Sequence, residues 1–193
     1  MASRTVNHDT RIRAACSGSD PAKLRNYYWV RAGAAAVWVA AASTIGTAAP
    51  LAAAILLIAY PAWDAAANLI DATRNGGTAR NRSQVLNAAI SGVTAAIVAV
   101  VIGNLNAVLG VFGAWAILAG LLQLATGVRR WKSFGAQWAM ILSGAQSALA
   151  GAFFIKQSWG NAVPGIADIA PYAAFGAFYF AVSALWLVFR RTA

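Results

Sequence analysis

The chain has 193 residues, of which 60% are hydrophobic and only 10% are charged. Soluble domains carry about a quarter charged residues, so this composition excludes an ordinary soluble domain and indicates an all-α integral membrane protein. The net charge of +10 is typical of nucleic-acid-binding domains when it is gathered in one patch, but here it is divided among separate polar segments between apolar ones. Nucleic acid is therefore excluded as a partner.

The chain begins with a polar segment, residues 1–26, which we predict to be a mobile, basic, cytoplasmic tail. Within it, Asp20 and Pro21 suit the N-cap and first turn of a short helix. Cys16 is the only cysteine, so the chain has no intrachain disulfide. His8 is the only histidine and has no further ligands near it in the sequence. We therefore predict no metal site.

Six apolar segments follow, each close to the ~20 residues that a membrane-spanning helix needs. They cover about residues 28–45, 50–72, 85–102, 107–128, 136–155 and 171–189. Short uncharged turns join the first segment to the second and the third to the fourth. We predict one transmembrane domain over 27–191, built from helical hairpins at about 28–72, 85–128 and 136–189.

The charges predict how this domain lies in the membrane. The N-terminal tail together with Arg31, the loops after the second and fourth segments and the C-terminus hold 14 of the 15 Lys and Arg residues, and Lys156 is the exception. With six spans, these regions all fall on one side. The positive-inside rule then predicts a bacterial inner-membrane protein with both termini in the cytoplasm. The bilayer, and anionic lipid headgroups at its cytoplasmic face, are the expected partners.

Similar short motifs recur in the three hairpins. The first helices share the motifs at 31–33, 90–92 and 142–144, and the second helices share those at 61–63, 113–115 and 176–178. This order predicts a threefold hairpin repeat.

The polar residues inside the spans predict a site in the first hairpin. Asp64 lies well within the second apolar segment, and a lone ionised group at that depth costs on the order of 3 kcal/mol. Asn68 and Asp71 share its helix face, at i+4 and i+7. On the neighbouring helix, Arg31 is the expected partner of Asp64 or Asp71. Two interpretations stay open: a substrate, ion or proton site, or a buried ion pair that sets the register of the hairpin. No acid occupies the equivalent positions of the other hairpins, so we expect the site to belong to the first hairpin alone.

Stripes of small residues predict where helices pack closely, because close backbone approach drives helix association in lipid. Glycines recur every seven residues on the fourth helix, and small residues recur every four on the fifth. The predicted packing residues are Gly113, Gly120, Gly127, Ser143, Ser147 and Gly151. Three roles for these stripes remain open: packing within the bundle, a homo-oligomer interface, or the binding of a membrane partner.

The spans contain no pattern typical of catalysis. They hold no histidine, no Gly-rich phosphate loop and no nucleophile elbow. We therefore predict a protein that is not an enzyme and needs no cofactor.

The segment from Val111 to Leu124, leading into Arg129-Arg130, together with the hairpin repeats and the Arg-Ala-Gly motif at 31–33, resembles the bacterial HdeD-like membrane proteins. This resemblance covers about residues 28–190. It implies a non-enzymatic multi-pass protein that supports acid or envelope stress tolerance. The alternatives are a small transporter or channel that uses Asp64 and Arg31, and a membrane scaffold that binds partner helices.

Overall fold

The computed structural model describes residues 21–129 and 137–189, which fold into six α-helices without a strand. In chain order the helices are α1 Pro21–Ala41, α2 Pro50–Arg74, α3 Arg82–Val101, α4 Leu105–Arg129, α5 Gln137–Ser158 and α6 Ile166–Phe189. A π-helical turn, Ala42–Gly46, extends α1. The all-α prediction is confirmed. Residues 21–26, assigned to the tail from sequence, are the first turns of α1, whereas Cys16, His8 and Asp20 lie outside the described residues.

Five of these helices, α2 to α6, are long and apolar enough to cross a membrane. The chain is therefore a multi-pass membrane protein by the length and composition of its helices. The first half of α1 carries Lys23, Arg25 and Arg31, so α1 is less apolar than the other five.

The helices form a closed antiparallel ring in chain order. Along α1 and α2, the contacts run in opposite directions, since Arg31 meets Asp64 and Trp38 meets the carbonyl of Leu56. The same antiparallel order continues from each helix to the next. Finally α6 returns to α1, where Phe180 packs on Tyr28. The ring has two ends.

The two ends differ in charge. We call the end that holds the start of α1 and the α2–α3 loop the basic end. The cations that it carries include Lys23, Arg25, Arg74, Arg80 and Arg82. The other end, formed by the α1–α2, α3–α4 and α5–α6 connections, is the opposite end. This division follows from the antiparallel order of six helices.

The most extensive helix contacts join α4 to α5, α2 to α3, and α1 to α6. The helices of each predicted hairpin, by comparison, touch less, and α1 and α2 least among them. Each close pair thus combines helices from different predicted hairpins. In the pair α1–α6, the first helix of the chain packs against the last.

Glycines explain why α4 and α5 pack so closely. A Cβ added at Gly120 would lie 2.6 Å from the carbonyl oxygen of Gly144, and one at Gly151 would lie 2.5 Å from that of Gly113. Both contacts are with backbone, which cannot turn aside as a side chain can. Four of the predicted packing residues, Gly113, Gly120, Ser147 and Gly151, therefore lie inside an intrachain interface and present no free stripe to a partner helix.

The two remaining packing residues have different surroundings. A Cβ at Gly127 would lie 2.9 Å from the side chain of Ile141, so Gly127 belongs to the same interface. Ser143 lines a cavity between the helices, and its neighbour Gly144 makes the close backbone contact with Gly120. The spacing of four predicted from sequence is off by one residue here because the helix repeat is 3.6.

The apolar core occupies the opposite half of the ring. Its buried side chains come from the later part of α1, α3 and α5 and the earlier part of α2, α4 and α6, with Leu57, Val98 and Phe112 among the most buried. At the basic end, the α2–α3 loop turns through Gly76 and Gly77, whose φ angles of 102° and 88° favour glycine. Asn81 closes this loop with hydrogen bonds to three backbone carbonyls.

Candidate functional site

Asp64 lies on the inner face of α2 and is buried, as is Asn68 one turn later. Asn68 Nδ2 donates to Asp64 Oδ2 at 3.0 Å and to the Asp64 backbone carbonyl at 2.8 Å. Asp71, half-buried nearer the basic end, accepts a hydrogen bond from Asn75. The i, i+4, i+7 spacing places all three acidic and amide side chains towards the interior, but Asp71 does not contact Asp64.

Arg31 pairs with Asp64, which is one of the two pairings that the sequence predicts. Its Nη2 contacts Asp64 Oδ1, and its Nη1 donates to the hydroxyl of Tyr27 at 3.0 Å. The guanidinium also faces Phe180 of α6, with Cζ 4.5 Å from the ring centroid. The pair thus joins α1, α2 and α6, although α1 and α2 have little other contact.

The second carboxylate oxygen is held by α2 and α3. Asp64 Oδ2 accepts hydrogen bonds from Asn68 Nδ2, from Asn87 Nδ2 at 3.1 Å and from Ser91 Oγ at 2.8 Å. With Arg31, four donors converge on one carboxylate. They supply the hydrogen bonds and the counter-charge that a buried ionised group needs.

The contacts of Asp64 extend to α4 through Ser91. Trp115 Nε1 donates to Ser91 Oγ at 2.9 Å, so this buried hydroxyl both gives and accepts a hydrogen bond. Trp115 also packs edge-on against Tyr60, which stacks on Trp38. The expectation that the site belongs to the first hairpin alone is therefore wrong, because Asn87, Ser91 and Trp115 lie outside that hairpin.

A sequence signal for these missed residues exists. Asn87, Ser91 and Thr94 follow one another at i, i+4 and i+7 on α3, which is the spacing of Asp64, Asn68 and Asp71 on α2. A polar stripe inside a membrane helix indicates a partner stripe on another helix. What the spacing does not say is which of the other helices carries that partner.

We expect Trp115→Phe to lower the unfolding free energy by about 1–2 kcal/mol, because it removes the donor to Ser91 and leaves a small void. Thermal unfolding in detergent measures the change. Trp159→Phe is the matched control, because Trp159 is 83% exposed in the α5–α6 loop. Equal effects of the two substitutions would contradict a role for the Trp115–Ser91 bond.

A continuous cavity of about 920 Å³ lies inside the ring, and all six helices line it. Its wall includes Arg31 and Asp64 near the middle, and Asn75 and Asn81 at the basic end. Along α6 the wall runs from Asp168 to Leu187. These two residues are about 28 Å apart at a rise of about 1.5 Å per residue, which is close to the ~30 Å thickness of the bilayer core.

The wall of this cavity is mainly apolar, with separate polar groups set into it. Ser147 and Tyr172 join their hydroxyls at 2.9 Å across α5 and α6, and Gln123 and Gln146 also line the space. A small number of polar groups in an apolar wall is typical of a small-molecule site. The cavity reaches Asp64, so the bundle is not fully packed beside this carboxylate. A fully packed bundle there would contradict a transport path.

Metal chemistry has no support in the part of the chain that the structure describes. No group of three or more His, Cys, Asp or Glu side chains lies close enough there to hold a metal ion. The carboxylates of Asp64 and Asp168 are instead held by nitrogen and hydroxyl donors.

Comparison of the chain with family models, with curated proteins and with solved structures finds no match. The resemblance to the HdeD-like proteins therefore stays a prediction from the residues that carry it.

Proposed function

We propose that this chain is a non-enzymatic bacterial inner-membrane protein that binds a small amphipathic solute in its central cavity and moves it across the membrane. The observation that carries this proposal is the cavity itself. Its volume of about 920 Å³ suits a drug-sized molecule, since small-molecule sites occupy roughly 300–1,000 Å³. Its extent along α6 matches the bilayer core, as a solute path requires.

The topology that we propose has six spans and both termini in the cytoplasm. α1 completes the ring between α2 and α6, and its Arg31 is neutralised by Asp64, which lowers the cost of placing α1 in the membrane. The cations at the basic end include Lys23, Arg74 and Arg80, and the positive-inside rule assigns that end to the cytoplasm. Anionic headgroups are then the expected neighbours of the basic end.

The solute is expected to reach the cavity from the bilayer as well as from the cytoplasm. α5 and α6 make few contacts with each other, and Phe153 and Phe175, which both line the cavity, leave more than half of their surface accessible. An apolar seam of this kind suits a molecule that partitions into lipid. Solute export at the cell membrane is also an activity that fits the acid or envelope stress role implied by the HdeD-like resemblance.

Filling the cavity tests this proposal. Ala119 lines the cavity on α4, whereas Ala114 on the same helix is exposed on the outer surface. We expect Ala119→Trp to weaken probe binding at least about tenfold, or about 1.4 kcal/mol, while Ala114→Trp leaves it unchanged. The probes are tetraphenylphosphonium, tetraphenylborate and Nile red, measured by equilibrium dialysis against the protein in phosphatidylcholine nanodiscs, with empty nanodiscs subtracted.

Transport is measured with the same variants in proteoliposomes. If no probe shows saturable binding that depends on residue 119, the cavity is not a solute site and the proposal fails. If binding depends on residue 119 but no probe crosses the membrane faster than in empty liposomes, the protein is a binding protein rather than a transporter.

A further inference from the structure

The cavity wall has the opposite charge balance from the rest of the protein. The whole chain has 15 basic and 5 acidic residues. Yet all three carboxylates of the described residues, Asp64, Asp71 and Asp168, line the cavity, and Arg31 is the single cationic side chain among the described residues that does. Even without Asp71, which lies near the basic end, the described residues place two carboxylates, Asp64 and Asp168, and one cation, Arg31, on the wall. This distribution favours a positively charged solute.

The single cation that the described residues place on the wall is not available to an anion. Arg31 is neutralised by Asp64, and one face of its guanidinium is covered by Phe180. Asp168, in contrast, accepts hydrogen bonds from two neutral donors, Gln157 Nε2 at 3.0 Å and the backbone nitrogen of Gly165 at 2.7 Å. Its charge is thus not balanced by a cation of the described residues.

Aromatic rings make up much of the rest of the wall. All five tyrosines of the chain line the cavity, together with tryptophans and phenylalanines such as Trp115 and Phe180. The faces of aromatic rings attract cations, by roughly 0.5–2 kcal/mol for each contact. The wall already shows this preference within the chain, since the Arg31 guanidinium lies 4.5 Å from the centroid of Phe180.

Two amide oxygens near the basic end have no hydrogen-bond partner among the described residues, and they also favour a positively charged solute. Gln84 Oε1 and Asn87 Oδ1 are buried and accept no hydrogen bond within the described part of the chain, and both residues line the cavity. The Asn87 amide is oriented by its bond to Asp64, so its oxygen is the free group. The remaining capacity is therefore acceptor capacity, whose partial negative charge favours a cation and which can also accept the N–H groups of a protonated amine.

We propose that the solute of this cavity is a monovalent organic cation with an apolar body, such as a hydrophobic amine or a quaternary ammonium or phosphonium ion. The aromatic wall and the Asp168 carboxylate hold the charge, and the apolar seam between α5 and α6 admits the body. This inference rests on the proposed function and narrows it to one class of solute.

Tetraphenylphosphonium and tetraphenylborate test the inference, because they have nearly the same size and shape and opposite charges. In uncharged phosphatidylcholine nanodiscs, we expect the cation to bind saturably and at least about tenfold more tightly than the anion. Ala119→Trp should remove this binding and Ala114→Trp should keep it. Nile red, which is uncharged, reports whether a variant still has its cavity.

Asp168→Asn adds a charge test with little risk to the fold. Asparagine keeps an acceptor for the Gly165 nitrogen, which is bonded in the manner of a capping box at the start of α6. We expect Asp168→Asn to weaken tetraphenylphosphonium binding several-fold and to leave Nile red unchanged. If tetraphenylborate binds as tightly as the cation and also depends on residue 119, the cavity is a solute site but the inference is wrong. If no probe depends on residue 119, the proposed function fails first.

Discussion

Asp64→Asn is expected to destabilise the bundle by about 3–5 kcal/mol, because it leaves the Arg31 guanidinium buried without a counter-charge. The substitution preserves the shape of the side chain but not its hydrogen bonds. If the amide oxygen faces Arg31, the amide nitrogen opposes the donors of Asn68, Asn87 and Ser91. If the amide is turned round, its nitrogen opposes Arg31 instead. Reversible unfolding in mixed micelles measures the loss.

A second substitution separates the ion pair from the rest of this site. In an Arg31→Met background, no guanidinium is left unpaired, so Asp64→Asn should cost clearly less than it does in the original chain. Asp71→Asn is the matched control, because Asp71 is half-buried near the basic end, and we expect it to cost less than about 1 kcal/mol. Strictly additive effects of Arg31→Met and Asp64→Asn would contradict the coupling.

Gly120→Ala is expected to destabilise the protein by about 3 kcal/mol, which is at the upper end for one added methyl group. The new Cβ would lie 2.6 Å from the carbonyl oxygen of Gly144 and 2.8 Å from the backbone nitrogen of Ala148. Because both atoms belong to the backbone of α5, the two helices must separate along their interface. Thermal unfolding in detergent, followed by circular dichroism, measures this loss.

A glycine-to-alanine substitution on α1 should not destabilise the protein. A Cβ at Gly33 on α1 meets nothing within 4 Å. Alanine favours a helix over glycine by about 0.5–1 kcal/mol, so Gly33→Ala should be neutral or slightly stabilising. If both substitutions have the same effect, the cost at Gly120 does not come from the α4–α5 contact.

Much of this protein could be predicted from its sequence alone. The apolar segments predict six helices, because a hydrophobic run of spanning length has few other stable forms in lipid. The predicted starts are late for α1 and α6, which begin at Pro21 and Ile166 rather than at about 28 and 171. The depth of Asp64 predicts that it has a partner, because an unpaired charge there is too costly. Arg31 is its predicted partner because the short α1–α2 turn brings the two helices side by side. Glycine spacing likewise predicts Gly113, Gly120 and Gly151 as packing residues.

Only the tertiary structure decided which helices meet. Hydropathy and turn length predict the hairpin pairs α1–α2, α3–α4 and α5–α6, yet the most extensive contacts join α2 to α3, α4 to α5 and α6 to α1. Lipid provides no hydrophobic force between helices, so their pairing depends on the fit of small residues and on buried hydrogen bonds. The contacts of Asp64 with Asn87 and Ser91, and the cavity between the helices, result from that fit. A linear sequence shows the polar and small residues one helix at a time, whereas the closed ring determines which of them face one another.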